Sequence, residues 1–84
     1  MEYRYKPQGV CSSEIIVDIE NSIIKKMRVI NGCNGNLQGI SSLVEGMTID
    51  AVIKKLRGIR CNGRPTSCPD QIAIALEKIQ KGEL

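Results

Sequence analysis

The 84-residue sequence contains no histidine. This absence removes imidazole as a metal ligand, as a general base and as a member of any Ser-His or Cys-His catalytic arrangement. The sequence also lacks paired carboxylates in a recognisable acid–base motif. We therefore expect no hydrolytic or transferase activity from this chain, and we do not expect it to be an enzyme by itself.

Aromatic residues are scarce, because Trp and Phe are absent and Tyr3 and Tyr5 are the two aromatic side chains. The core must therefore be built from aliphatic residues. A chain of this length is expected to form a single domain over residues 1–84, since two domains would each be too small to sustain a core. Domains near this size often need a metal, a disulfide or a partner, because apolar burial barely exceeds the entropy lost on folding.

Long apolar runs are also missing. No stretch approaches the roughly 18 apolar residues of a membrane span, and residues 1–10 lack the apolar run of a signal peptide. We therefore expect a cytoplasmic protein that does not associate with membranes. The net charge of +3 is too small to indicate nucleic-acid binding. The basic residues have no aromatic stacking platform near them, which also disfavours nucleic acid as a partner.

Two runs rich in β-branched residues predict a hairpin. Residues 14–19 and 23–30 show the two-residue alternation of half-buried strands, and residues 20–22 supply a tight turn between them. The antiparallel sheet is expected to have two strands, or three if residues 3–6 join it. The inward-facing side chains are expected to be Ile15, Val17 and Ile19 on the first strand, and Ile23, Met27 and Val29 on the second.

Three short helices are predicted after the hairpin, which makes the fold class α+β with the helices packed on one face of the sheet. The first is expected to start at Asn36 as its N-cap and to end at Gly46. The second should be capped by Thr48 and terminated by Gly58, and the third should open at Cys68. Their core-facing residues are predicted to be Leu37, Ile40, Leu43 and Val44, then Ile49, Val52, Ile53 and Leu56, then Ile72, Ala75, Leu76 and Ile79.

Four cysteines are the residues best suited to carry chemistry: Cys11, Cys33, Cys61 and Cys68. Each lies in a segment rich in Gly, Pro, Ser or Asn, whereas an inert core thiol usually occupies an apolar stripe. Thiols stay reduced in the cytoplasm, which favours metal ligands or reactive groups over disulfides. We predict that all four bind one zinc ion, because thiolates are ligands that zinc prefers. No Cys-x-x-Cys pair occurs, so the fold would have to assemble the site.

Nearby features of the sequence suit thiolates. Cys33 and Cys68 are expected at helix N-termini, where the positive end of the helix dipole stabilises a thiolate. Four thiolates around a divalent ion carry a net charge of about minus two, which nearby cations could offset. The cations near Cys61 in the sequence are Lys54, Lys55, Arg57, Arg60 and Arg64.

Residues 66–70 read Thr-Ser-Cys-Pro-Asp, and residues 56–61 read Leu-Arg-Gly-Ile-Arg-Cys. With these two segments the chain resembles the TSCPD domain family over essentially its whole length. Similar domains occur near the C-terminus of adenosylcobalamin-dependent ribonucleotide reductases. The resemblance therefore implies an association with nucleotide metabolism without the catalytic activity, since the large catalytic barrel is absent. It also implies that the partner is a larger protein or enzyme of nucleotide or metal metabolism.

A second resemblance runs from Ile23 to Leu76. The segments Gly32-Cys33, Ser41-Ser42-Leu43 and Glu45-Gly46-Met47-Thr48, together with Cys61, resemble the U-type iron–sulfur cluster assembly scaffold. That family holds zinc or a nascent cluster with three cysteines. The resemblance implies that Cys33, Cys61 and Cys68 are those ligands and that Cys11 is an addition. Gly35 and Ser67 depart from the family pattern, which has an acidic residue and a histidine at these positions.

Three functions follow as alternatives. The first is a zinc-binding accessory or regulatory domain with no turnover of its own. The second is an iron–sulfur cluster or sulfur-trafficking scaffold with partly open thiolates. The third is a ribonucleotide-reductase-related protein that presents redox-active thiols.

Overall fold

The computed structural model describes residues 1–10, 12–31, 34–60, 63 and 65–83, with the backbone alone for residues 34–36. It has an α+β fold, as predicted. Three strands, β1 (Glu2–Tyr5), β2 (Glu14–Glu20) and β3 (Ile23–Ile30), precede three helices, α1 (Asn34–Val44), α2 (Ile49–Leu56) and α3 (Cys68–Gln80). The strands form one antiparallel sheet in the order β1-β2-β3. Within the described residues, no helix is long and apolar enough to cross a membrane.

The β2–β3 hairpin turns at Asn21 and Ser22, where the sequence predicts it. Both residues have positive φ angles, of 53° and 63°. Consecutive positive φ angles are typical of two-residue hairpin turns, whose twist matches that of the flanking strands. Beyond the turn, Ile15 pairs with Val29 and Val17 with Met27, so these four side chains share the inner face of the sheet.

The predicted inner face of β3 is wrong at its first residue. Asp18 pairs with Lys26 but the next residue, Ile19, pairs with Ile24, so Lys25 is an extra residue on β3. This bulge resets the alternation of side chains. As a result Ile24 is fully buried, whereas Ile23 is only half-buried.

Helix α1 differs from the prediction in two ways. It begins at Asn34, two residues before the predicted N-cap Asn36, because a capping preference of about 1 kcal/mol is a weak local signal for the exact end of a helix. Leu43 is 76% exposed rather than part of the core. The buried residues Leu37, Ser41 and Val44 follow the i, i+4, i+7 spacing of one face, and Leu43 lies about 100° around the helix from Val44.

Helices α2 and α3 agree with the predictions. Thr48 caps α2 by accepting a hydrogen bond from Ala51 N, and Gly58, with a φ angle of 89°, follows its end. The core lies between the inner face of the sheet and the helices. It contains Ile15, Val17, Ile19, Ile24, Met27, Val44, Ile49, Val52, Ile72 and Leu76, with Ile40, Ile53, Leu56 and Ile79 packed against it.

Candidate functional site

Cys68, the predicted zinc ligand that the structure describes, is the first residue of α3 and is partly buried. The other three predicted ligands, Cys11, Cys33 and Cys61, lie outside the described residues. Among the residues that are described, no group of three or more Cys, Asp or Glu side chains is arranged to hold a metal ion. The four-cysteine site therefore stays a prediction. The part of the candidate site whose geometry the structure describes is the surroundings of Cys68.

Ser67 determines where α3 begins. It has an extended backbone and caps the helix, because its Oγ accepts a hydrogen bond from Asp70 N at 3.1 Å. The same hydroxyl donates to the carbonyl oxygen of Ile59 at 2.6 Å. Pro69 occupies the first turn, where its missing N–H leaves no hydrogen bond unmade. Cys68 is thus held at a helix N-terminus that is tied to the segment after α2.

Asp70 is the centre of a buried polar network. Its side chain is buried, and its Oδ2 accepts a hydrogen bond from the Thr66 hydroxyl at 2.6 Å. Its Oδ1 accepts from Gly58 N at 2.7 Å and from Arg57 Nη1 at 2.9 Å. Burial by itself would raise the pKa of Asp70, but the hydrogen bonds from Thr66, Gly58 and Arg57 outweigh it and the pKa is lowered. Asp70 is therefore a carboxylate at neutral pH and fixes both ends of the α2–α3 connection.

Arg57 joins two acidic residues of α3. Its Nε donates to Glu77 Oε1 at 2.9 Å, in addition to its bond with Asp70. These hydrogen bonds, the one to Glu77 first, raise the pKa of Arg57. Arg57 is one of the cations predicted to offset thiolate charge, but its guanidinium forms ion pairs with two carboxylates.

Of the other cations near Cys61 in the sequence, Arg64 lies outside the described residues, and the structure describes Lys54, Lys55 and Arg60. All three are exposed, and none forms an ion pair with the described residues. The charge of these three side chains is therefore not balanced by a described carboxylate.

Gln71 connects the start of α3 to the N-terminal part of the chain. It is buried, and its Nε2 donates to Thr66 Oγ1 at 3.0 Å. Its Oε1 accepts from the Tyr5 hydroxyl at 3.2 Å and from Gln8 N at 3.0 Å. Burial also raises the pKa of Tyr5. The segment that follows β1 is thereby held against α3.

The described neighbours of the other cysteines also lie at this end of the molecule. Ser12, which follows Cys11 in the sequence, is buried with its Oγ 3.4 Å from Cys68 Sγ. Asn31, two residues before Cys33 in the sequence, donates from its Nδ2 to Ser13 Oγ. Ile59, two residues before Cys61, accepts from Ser67. A described residue close in sequence to each of these cysteines therefore contacts Cys68, the helix cap Ser67, or Ser13, the residue after Ser12.

The roles of Thr66, Asp70 and Gln71 were not predicted from the sequence. Two signals were available in the sequence. Ser67 and Asp70 have the Ser-x-x-acid spacing of a helix N-terminus. Gln71 directly precedes Ile72 on a helix whose next residues are mostly apolar, so a buried amide with specific partners could have been considered.

Comparison with known proteins gives one family. The model of the TSCPD domain matches residues 1–80, which include all six helices and strands. No significant match was found among curated proteins or among solved structures.

Proposed function

The chain belongs to the TSCPD domain family, and we propose that it is an accessory or regulatory domain that binds one zinc ion through Cys11, Cys33, Cys61 and Cys68. In this proposal the domain catalyses no reaction of its own. It acts instead as a folded module for a larger protein or enzyme of nucleotide or metal metabolism.

The observation that supports the proposal best is the polar network around Cys68. Thr66, Ser67 and Asp70 of the family signature hold the start of α3 against the end of α2. The contact between Ser12 Oγ and Cys68 Sγ brings the chain next to Cys11 to the same place. A network that spans these separate segments is what assembly of ligands from distant parts of the sequence requires.

The donor set also fits zinc. The chain offers four thiolates and no imidazole, and four-thiolate tetrahedral coordination is common in structural zinc sites. Such a site would stabilise a small domain whose core lacks Trp and Phe. The exposed Lys54, Lys55 and Arg60, which form no ion pair with the described residues, are suited to offset the excess negative charge of the thiolates.

Elemental analysis of the untagged protein tests the proposal. We expect about one zinc ion per chain in protein purified without chelator. Cys68→Ser should lose most of the zinc, whereas Cys68→His should retain much of it because imidazole is also a zinc ligand. Substoichiometric metal together with four titratable thiols would contradict the proposal. Iron with sulfide in place of zinc would instead support the cluster-scaffold function.

A second candidate is a ribonucleotide-reductase-related protein with redox-active thiols. It is favoured by the partial exposure of Cys68 and by the neighbouring Ser12 hydroxyl, which can donate to a thiolate. In this candidate, Cys68 would form a reversible disulfide with a second cysteine instead of binding a metal.

A further inference from the structure

The outer edge of β3 already accepts short extended segments of the same chain. In the described sheet β3 is an edge strand. At its beginning, Ile24 N donates to Met47 O at 2.9 Å and Ile24 O accepts from Gly46 N at 2.8 Å. Ile23 and Thr48 form an antiparallel bridge. Residues 46–48 thus pair with the first part of this edge as a short strand would.

The rest of the edge opens onto a cleft. Residues 27–31 form one wall, and α1 forms the other through Leu37, Gln38, Ser41, Ser42 and Glu45. The cleft has a volume of about 380 Å³. An edge strand presents N–H and C=O groups on its outer side, and residues 27–30, the last four of β3, offer a site about 13 Å long. This length suits an extended peptide segment.

The cleft contains a buried polar group without a partner. Ser41 is 9% exposed, and its hydroxyl makes no hydrogen bond to the described atoms. A buried hydroxyl without a partner is unfavourable, and because this oxygen is closed to solvent, a polar ligand in the cleft would reach it only after the Ser41 side chain rotates. The small exposed parts of Met27 and Leu37 add an apolar surface at the same place. The cleft therefore offers a peptide both a hydrogen-bonding group and apolar contact, as peptide-binding grooves do.

The charge of β3 indicates the kind of peptide. Lys25, Lys26 and Arg28 are exposed, and none of them forms an ion pair with the described residues. Lys26 and Arg28 lie two residues apart on the strand and so point to the same face of the sheet. Glu45 is the acidic side chain among the residues that line the cleft. The excess of positive charge on the strand favours an acidic partner strand.

We propose that residues 27–30 of β3 bind an extended acidic peptide segment of a partner protein, which adds to the sheet as a further strand. Backbone hydrogen bonds to the β3 edge supply the affinity. Alternate residues of the peptide place their carboxylates beside Lys26 and Arg28. An apolar side chain of the peptide, between two such residues, lies against Met27 and Leu37. Cys68 does not line this cleft.

A titration followed by the amide signals of the isotope-labelled protein tests this proposal. The probe is a capped Val-Glu-Val-Glu-Val peptide, and the controls are Val-Lys-Val-Lys-Val and an alternately N-methylated form of the acidic peptide. We expect the acidic peptide to shift the amide signals of residues 27–31 and of the facing turn of α1. The N-methylated peptide keeps the charge but lacks the backbone donors, so it should not bind.

Variants identify the residues responsible. Arg28→Glu should weaken binding of the acidic peptide by about tenfold, since it replaces attraction by repulsion. Lys26→Glu should also weaken binding of the acidic peptide, and it replaces Arg28→Glu in the experiment if that variant does not fold. Lys81→Glu, the same charge change at the end of α3, should leave the affinity within about twofold, because that residue does not line the cleft and is exposed.

The proposal is overturned if millimolar acidic peptide does not shift the amide signals of residues 27–31, or shifts only those of other residues. Equal binding of the N-methylated and unmethylated acidic peptides would overturn it, and so would an equal loss of affinity in Lys81→Glu and Arg28→Glu. Concentration-dependent shifts of residues 27–31 without any peptide would also overturn it, because they would assign the edge to a second copy of this chain.

Discussion

The backbone N–H of Gly58 donates to Asp70 Oδ1 at 2.7 Å, which joins the end of α2 to the first turn of α3. Arg57 and Thr66 donate to the same carboxylate, so one side chain holds both ends of the connection between the helices. Cys61 belongs to that connection in the sequence. Within the Thr-Ser-Cys-Pro-Asp signature, Thr66, Ser67 and Asp70 therefore build a support, and Cys68 is the residue with reactive chemistry.

Thr66→Val should lower the free energy of unfolding by about 2 kcal/mol. Valine has the shape of threonine but would leave Asp70 Oδ2 and Gln71 Nε2 without the partner that the Thr66 hydroxyl provides. Thr66→Ser is the matched control, because it keeps the hydroxyl and loses one methyl group, at a cost of about 1 kcal/mol. Urea unfolding curves of the three proteins measure the difference. A Thr66→Val variant as stable as the wild type would show that the hydroxyl contributes nothing.

The contribution of Asp70 should depend on pH. Burial acts to raise the pKa of Asp70, but its hydrogen bonds lower it overall, so the folded protein keeps the carboxylate charged at a pH where the unfolded chain becomes protonated. The stabilisation is therefore complete above the ordinary carboxyl pKa of about 4 and is lost as the pH falls through the lower folded value.

This dependence can be measured by comparing the wild type with Asp70→Asn. At neutral pH the variant should be less stable by about 2 kcal/mol, and the difference should shrink as the pH falls from about 5 to 3. The comparison cancels the titration of groups that both proteins share. Glu20→Gln, which removes one negative charge at an exposed position, is the matched control. A constant difference between Asp70→Asn and the wild type over this range would contradict the prediction.

Local patterns were sufficient to predict the order of strands and helices. The caps at Thr48 and at the start of α3 act through neighbouring residues, so the sequence displays them directly. The bulge at Lys25 was not predictable in this way, because the alternation along one strand does not reveal where the partner strand skips a residue. The same limit explains Leu43, whose exposure depends on which face of α1 meets β3.

The candidate site was predictable in part for the same reason. Cys68 lies where Pro69 and the helix cap indicated. The partners of Gln71, however, are Tyr5 and Gln8, which are 66 and 63 residues away in the sequence. Such pairings arise from tertiary structure, and a single sequence does not reveal which polar side chains will be buried together.

The position of the bulge predicts different effects for two neighbouring isoleucines. Ile24→Ala should destabilise the protein by about 3 kcal/mol, because it leaves a cavity in place of a fully buried side chain. Ile23→Ala should cost about 1 kcal/mol, since that side chain is half-buried. Thermal or urea unfolding of both variants checks the register. A larger loss for Ile23→Ala would place the bulge elsewhere on β3.

Alkylation of Cys68 should distinguish a bound metal from a reactive thiol. If Cys68 is a zinc ligand, iodoacetamide should modify it slowly at neutral pH, because a sulfur that binds a metal is a poor nucleophile towards other electrophiles. Addition of a chelator should then raise the rate to about that of the urea-unfolded, chelated protein, which supplies the reference.

If Cys33 and Cys68 are instead redox-active thiolates, both should react quickly without chelator and should form a disulfide under mild oxidation. Mass spectrometry of peptides after timed labelling assigns each rate to its cysteine, and Cys68→Ser confirms the assignment. Rapid labelling of Cys33 and Cys68 in the untreated protein would therefore reject the zinc site and favour the redox function, whereas protection that disappears with chelator would reject the redox function.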